Sequence, residues 1–92
     1  MEKMLDSAEQ VAEKVRRYLI EELGLPEALR QDDRLIERGF IASAQLIDLV
    51  GFIEDSFGVV LRSIDVLPEN LATTATIARV VMGRLAQSGP GA

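Results

Sequence analysis

The chain has 92 residues, 48% hydrophobic and 27% charged, with 15 acidic against 10 basic side chains and a net charge of −5. This composition is that of one soluble globular domain with a modest core, and its acidity excludes a nucleic-acid surface, whose phosphates require a basic face. With neither Cys nor His, the chain has no disulfide, thiolate nucleophile, Cys-based metal site or histidine base, so catalysis by its own side chains is not expected.

Helical periodicity dominates. From Ser7 to Leu23 it puts Val11, Val15, Tyr18 and Leu19 on one stripe, with Glu9, Glu13, Lys14 and Arg17 elsewhere. Ser7 with Gln10 fits a capping box, and Gly24 followed by Pro26 is a helix stop. Residues 25–42 form a long connection without a period. Pro26 and Asp32-Asp33 read as turn residues there, and Leu35-Ile36 as a dip into the core. Connections longer than about 12–15 residues are uncommon in compact domains and often functional.

A second helix is expected from Ser43 to Phe57, its core stripe Leu46, Leu49, Val50, Ile53 and Phe57, with Gly58 at its end. Val59-Val60-Leu61 is too short and partnerless for a strand and reads as extended loop. Pro68 to Leu71 suits one short helical turn. Thr73 or Thr74 caps a last helix that buries Ile77, Val80, Val81 and Leu85. Gly83 inside it predicts fraying or close packing. The expected fold is therefore all-α: a small antiparallel four-helix bundle, three helices long and one short, with a long first loop. It spans residues 1–86 and ends in a flexible tail, 87–92.

Met1-Glu2-Lys3 leads into charged residues and not into the apolar core of a signal peptide. No apolar run approaches the roughly 18 residues that cross a membrane. The expected compartment is the cytoplasm.

On residue types alone, Ser43 reads as an N-cap, its oxygen accepting a backbone N–H of the first turn. The wider arrangement adds to this. Gly39-Phe40-Ile41-Ala42-Ser43-Ala44-Gln45-Leu46, then Phe52 to Val59, then Asp65-Val66-Leu67-Pro68-Glu69-Asn70-Leu71, then Thr74 to Val81 together resemble a free-standing acyl or peptidyl carrier protein. The resemblance covers about residues 10–86. Each piece is degenerate alone, and their order and spacing make the likeness specific.

The resemblance implies a four-helix bundle and a serine, here Ser43, that accepts 4′-phosphopantetheine from coenzyme A. A separate phosphopantetheinyl transferase installs the arm as a phosphodiester. Its terminal thiol then carries acyl or aminoacyl groups as thioesters in fatty acid, polyketide or nonribosomal peptide biosynthesis. The partners implied are the transferase, an acyl- or aminoacyl-loading ligase and downstream biosynthetic enzymes, with no nucleic acid and no membrane, for a monomer that is not an enzyme. Carrier families are recognised largely on the second helix, which implicates Ala44, Ile47, Asp48, Gly51, Glu54 and Asp55. Ile47 would seat in an apolar pocket on a partner, and the acids would meet its Lys or Arg.

One departure stands beside the serine. Ala42 occupies the position where the family has Asp. Three explanations follow: a transferase that accepts Ala, an engineered change, or a carrier-like interaction module that is not modified and binds a basic partner through the acidic second helix. With Ala42 unable to cap, Ser43 is expected to serve as N-cap itself.

Overall fold

The computed structural model describes residues 7–87, and these are all helical or irregular, with three helices and no strand among them. Helix α1 spans Ala8–Leu23, α2 Ser43–Phe57 and α3 Thr74–Gln87. The tail expected at 87–92 lies, beyond Gln87, outside the described residues.

Each helix end has a local cause. Ser7 Oγ accepts the Gln10 N–H at 3.2 Å and starts α1. Gly24 stops it with φ 77°, a left-handed conformation that costs glycine nothing, and the Leu25 N–H returns to the Leu19 carbonyl at 3.1 Å. Thr73, not Thr74, caps α3. Its Oγ1 accepts the Thr76 N–H and its own N–H donates to Thr76 Oγ1, both at 3.0 Å, a reciprocal box with threonine in the third helical position. Gly83 is exposed, and a Cβ there would meet nothing within 4 Å, so the close-packing alternative does not hold.

The core draws on all three helices. Val11, Val15 and Leu19 of α1 are fully buried with Leu49 and Ile53 of α2 and Ile77 and Val81 of α3. Tyr18, Leu46 and Val50 are half-buried against them. Of the residues expected on α3's inner face, Val80 and Leu85 are half-buried, while Ala78 is buried at 1% exposure. Helix α3 packs chiefly on α1 and less on α2. Helix α2 meets α1 through Tyr18 stacked on Phe52, their ring centroids 4.1 Å apart and planes 14° from parallel.

The long first connection is pinned, not loose. Leu25, Leu29, Leu35 and Ile41 are all buried. From α1, Arg16 Nε donates to the Leu29 carbonyl at 2.6 Å and Nη2 to the Glu27 carbonyl. Asp33 accepts the Arg30 N–H at 2.8 Å, a turn built by its carboxylate. Leu35 is a backbone hub: its N–H donates to the Ala72 carbonyl at 2.8 Å, and its carbonyl accepts the Phe40 N–H at 2.8 Å and the Ile41 N–H at 3.2 Å. Gly39, at φ 75°, makes the reversal inside that hub, where any side chain would be strained. The chain is thereby aimed at the start of α2.

The second connection leaves α2 through Gly58 at φ 67°, is irregular to Arg62, and then forms hydrogen-bonded turns at 63–66 and 68–70. The Leu71 N–H returns to the Leu67 carbonyl at 3.2 Å, the single helical turn that Pro68 favours. No continuous helix forms between Phe57 and Thr74.

Candidate functional site

The first turn of α2 differs from the expectation at one position. Ala42, with φ −97° and ψ 166°, is the N-cap, and Ser43 is already the first helical residue. Alanine has no side-chain acceptor, so half of a capping box is present: Gln45 Oε1 reaches back to the Ala42 N–H at 2.8 Å. The Gln45 N–H is taken by the Ala42 carbonyl at 2.9 Å. With those groups engaged, Ser43 has no cap to make, and the expectation that it takes over as N-cap is overturned. Its side chain is exposed, and its hydroxyl forms no hydrogen bond among the described residues.

The electrostatics of this helix end suit an anion. No acidic residue lies in the first turn of α2. The N–H groups of Ser43 and Ala44 precede any intrahelical acceptor, and the positive end of the helix dipole is not neutralised.

The six residues expected to face a partner separate into different environments. Ala44, Asp48 and Asp55 are exposed, and Ile47 is 76% exposed, the most exposed large hydrophobic side chain among the described residues. Gly51 is half-buried, with open space where a Cβ would stand. Glu54 is turned inward on its own chain, where its Oε2 accepts the Leu61 N–H at 2.9 Å and holds the irregular segment after α2. A carboxylate committed to its own backbone has less to offer a partner's cation than Asp48 or Asp55.

Two concavities flank α2. Leu46, Ile47 and Val50 of the helix face Val66 and Leu71 of the second connection across an almost wholly apolar groove of about 310 Å³, at the small end of the range of ligand sites. Ile47, one turn beyond Ser43, stands at its edge. On the other flank, a shallow notch of about 390 Å³ lies over the Tyr18–Phe52 stack, edged by Lys14, Arg17, Glu21 and Glu22. Burial raises the Tyr18 pKa, and the nearby charges of Asp48 and Glu22 raise it further, since all three disfavour tyrosinate. Arg17 is held charged by hydrogen bonds to Glu21, at 3.0 Å, and Glu27, at 3.3 Å, which raise its pKa.

Sequence reasoning did not find Val66 and Leu71 as groove residues, because their segment has no periodicity to reveal an inner face. It also did not pair Asp65 with Arg84, whose Nε lies 2.9 Å from the Asp65 carboxylate. The one available signal was the isolated acid ahead of an apolar run, which is ambiguous without the fold.

No family model matches the chain, and no curated protein matches it. Among the described residues no group of three or more acidic side chains gathers to hold a metal ion, and no helix is long and apolar enough to cross a membrane.

Proposed function

We propose that the chain is a carrier protein that takes 4′-phosphopantetheine from coenzyme A on Ser43 and presents acyl or aminoacyl thioesters to biosynthetic enzymes. The observation that carries this reading is the position of Ser43. It is exposed, free of hydrogen bonds among the described residues, and set at the unneutralised N-terminus of α2. A serine needed for the fold would be engaged; this one is presented.

The groove beside it supports an aliphatic cargo over a polar one, since its lining offers almost nothing to hydrogen-bond. Exposed Ile47 and Asp48, with Asp55 farther along the helix, supply an apolar anchor and charges for a basic partner: the transferase, a loading ligase and the downstream enzymes. On this reading the turns at 62–71 are the short fourth element of an antiparallel carrier bundle. The protein works as a cytoplasmic monomer, and the catalysis belongs to its partners.

The test is incubation of the protein with coenzyme A, Mg²⁺ and a permissive transferase, followed by intact-mass measurement. One phosphopantetheine should be gained, and none by the Ser43→Ala variant. Failure to gain mass with several transferases would sink the proposal.

Ala42 favours a second reading. The N-cap beside the serine bears no acid, and transferases of this type meet an Asp there in the family the sequence resembles. The chain would then be an unmodified interaction module docking a basic partner through Ile47, Asp48 and Asp55. Under that reading Ser43→Ala is silent in every assay, while Ile47→Ala and Asp48→Asn weaken partner binding.

A further inference from the structure

Between Phe57 and Thr74 the chain has neither helix nor strand, so discrete attachments decide how firmly it lies on the bundle. At its start, the Leu61 N–H is held by Glu54 at 2.9 Å. At its end, Leu71 is 1% exposed and the Ala72 carbonyl is held by the Leu35 N–H at 2.8 Å. Midway stands Asp65, 7% exposed in a segment otherwise rich in exposed apolar side chains: Val60 at 74%, Ile64 at 61% and Leu67 at 37%.

Asp65 does two things at once. Its Oδ2 accepts the Arg62 N–H at 2.8 Å, which closes the first turn. The same carboxylate meets Arg84, in the last turn of α3, with Nε 2.9 Å from Oδ2 and Nη2 3.3 Å from Oδ1. This two-pronged geometry is directional, and with side-chain exposures of 10% and 18% the pair is shielded from solvent. A shielded ion pair contributes little net stability, but removing either partner is costly because the other charge is left uncompensated. Val66, the next residue, is one wall of the groove and Leu71 is another.

We propose that the Asp65–Arg84 pair is a latch on the groove. Closed, it seats residues 62–71 against α3 and sets the groove's width. Open, it lets the Val66 side of that wall move out while the three helices and Leu71 stay packed, because Val60, Ile64 and Leu67 are exposed and Val66 is only partly buried. The inference concerns how the wall is held and does not depend on Ser43 being modified.

The test is hydrogen exchange on the full chain and on Arg84→Gln, Asp65→Asn and the double variant. The Val66, Asn70 and Leu71 amides, which donate within the turns, are compared with Val15 and Ile53 in the helices. Each single variant should speed exchange of the turn amides by about tenfold or more with the helical amides unchanged. The double variant should exceed neither single by much, as expected of two ends of one interaction. Titration with 1-decanol, followed by Leu46 and Val50 methyl shifts, should saturate at lower alcohol concentration in Arg84→Gln, because the open state is populated beforehand. The latch is overturned by turn amides that exchange at the parent rate in both singles, or by helical and turn amides that lose protection together. An unchanged decanol titration overturns its control of the groove.

Discussion

Tyr18 is a titratable side chain whose surroundings raise its pKa. Stacked on Phe52, half-buried, and close to Asp48 and Glu22, it holds its proton above the usual tyrosine value of about 10. The folded state therefore binds that proton more tightly than the unfolded chain does. The resulting stability is complete below pH about 10 and is lost as pH rises through the folded pKa. Urea midpoints measured from neutral to alkaline pH should fall more steeply in the parent than in Tyr18→Phe. Because the chain has a single Tyr, tyrosinate absorbance reports the same ionisation directly. Equal slopes in the two proteins would show that the ring environment does not couple to folding. Spacing placed Tyr18 on the inner stripe of α1 but not its partner, for Phe52 lies on neither the core stripe nor the outer face that periodicity marks on α2.

Helix α2 shows how much one position matters at an element's end. Its bounds and its inner residues Leu49, Ile53 and Phe57 follow from apolar spacing, and the structure agrees with them. Which residue caps it does not follow from spacing, since capping depends on where the backbone leaves the extended region, and here that is Ala42. Replacing Ala42 with Asp supplies the missing acceptor and a negative charge at the dipole's positive end. The expected gain is about 0.5–2 kcal/mol in urea unfolding, fading as the carboxylate is protonated at low pH. The same substitution bears on function: if Ala42 limits transfer to Ser43, Ala42→Asp should speed the mass gain without moving its site. Glu54 carries the complementary lesson. The family resemblance placed it on the partner face, but its reach to the Leu61 N–H depends on how the next segment folds back.

For the whole molecule, the structural weight of the first connection is the main result. Leu35 is 0% exposed and its backbone joins residues 40, 41 and 72. The Gln31 carbonyl meanwhile accepts from the Ala75 N–H at 3.1 Å and from Thr74 Oγ1 at 3.2 Å. This irregular segment is thus part of the core and of the entry to α3. Leu35→Ala should cost about 2–5 kcal/mol, as much as a helical core residue. A cost below about 1 kcal/mol on urea unfolding would mean that the connection moves apart from the helices. Because the same hub positions Gly39 and the start of α2, loss of Leu35 should also disturb Ser43, visible as shifts of the Ser43 and Ala44 amides.

Local spacing was enough to place three helices, their bounds to within a residue or so, most of their buried faces and the dip of Leu35 into the core. Those features are written in local spacing and in stop and cap residues, which act within one turn of the chain. The sequence also singled out Ser43 and placed Ile47 on the helix face expected to meet a partner. It took the folded chain to show that Ala42 and not Ser43 caps α2, that Glu54 serves its own backbone, that Val66 and Leu71 wall a groove beside Ile47, and that Asp65 meets Arg84. The cap turns on the Ala42 backbone angle, just after the residues held by the Leu35 hub. The other three join residues through the irregular connection after α2, where no period records which side faces in and the register is set by packing against helices far along the chain.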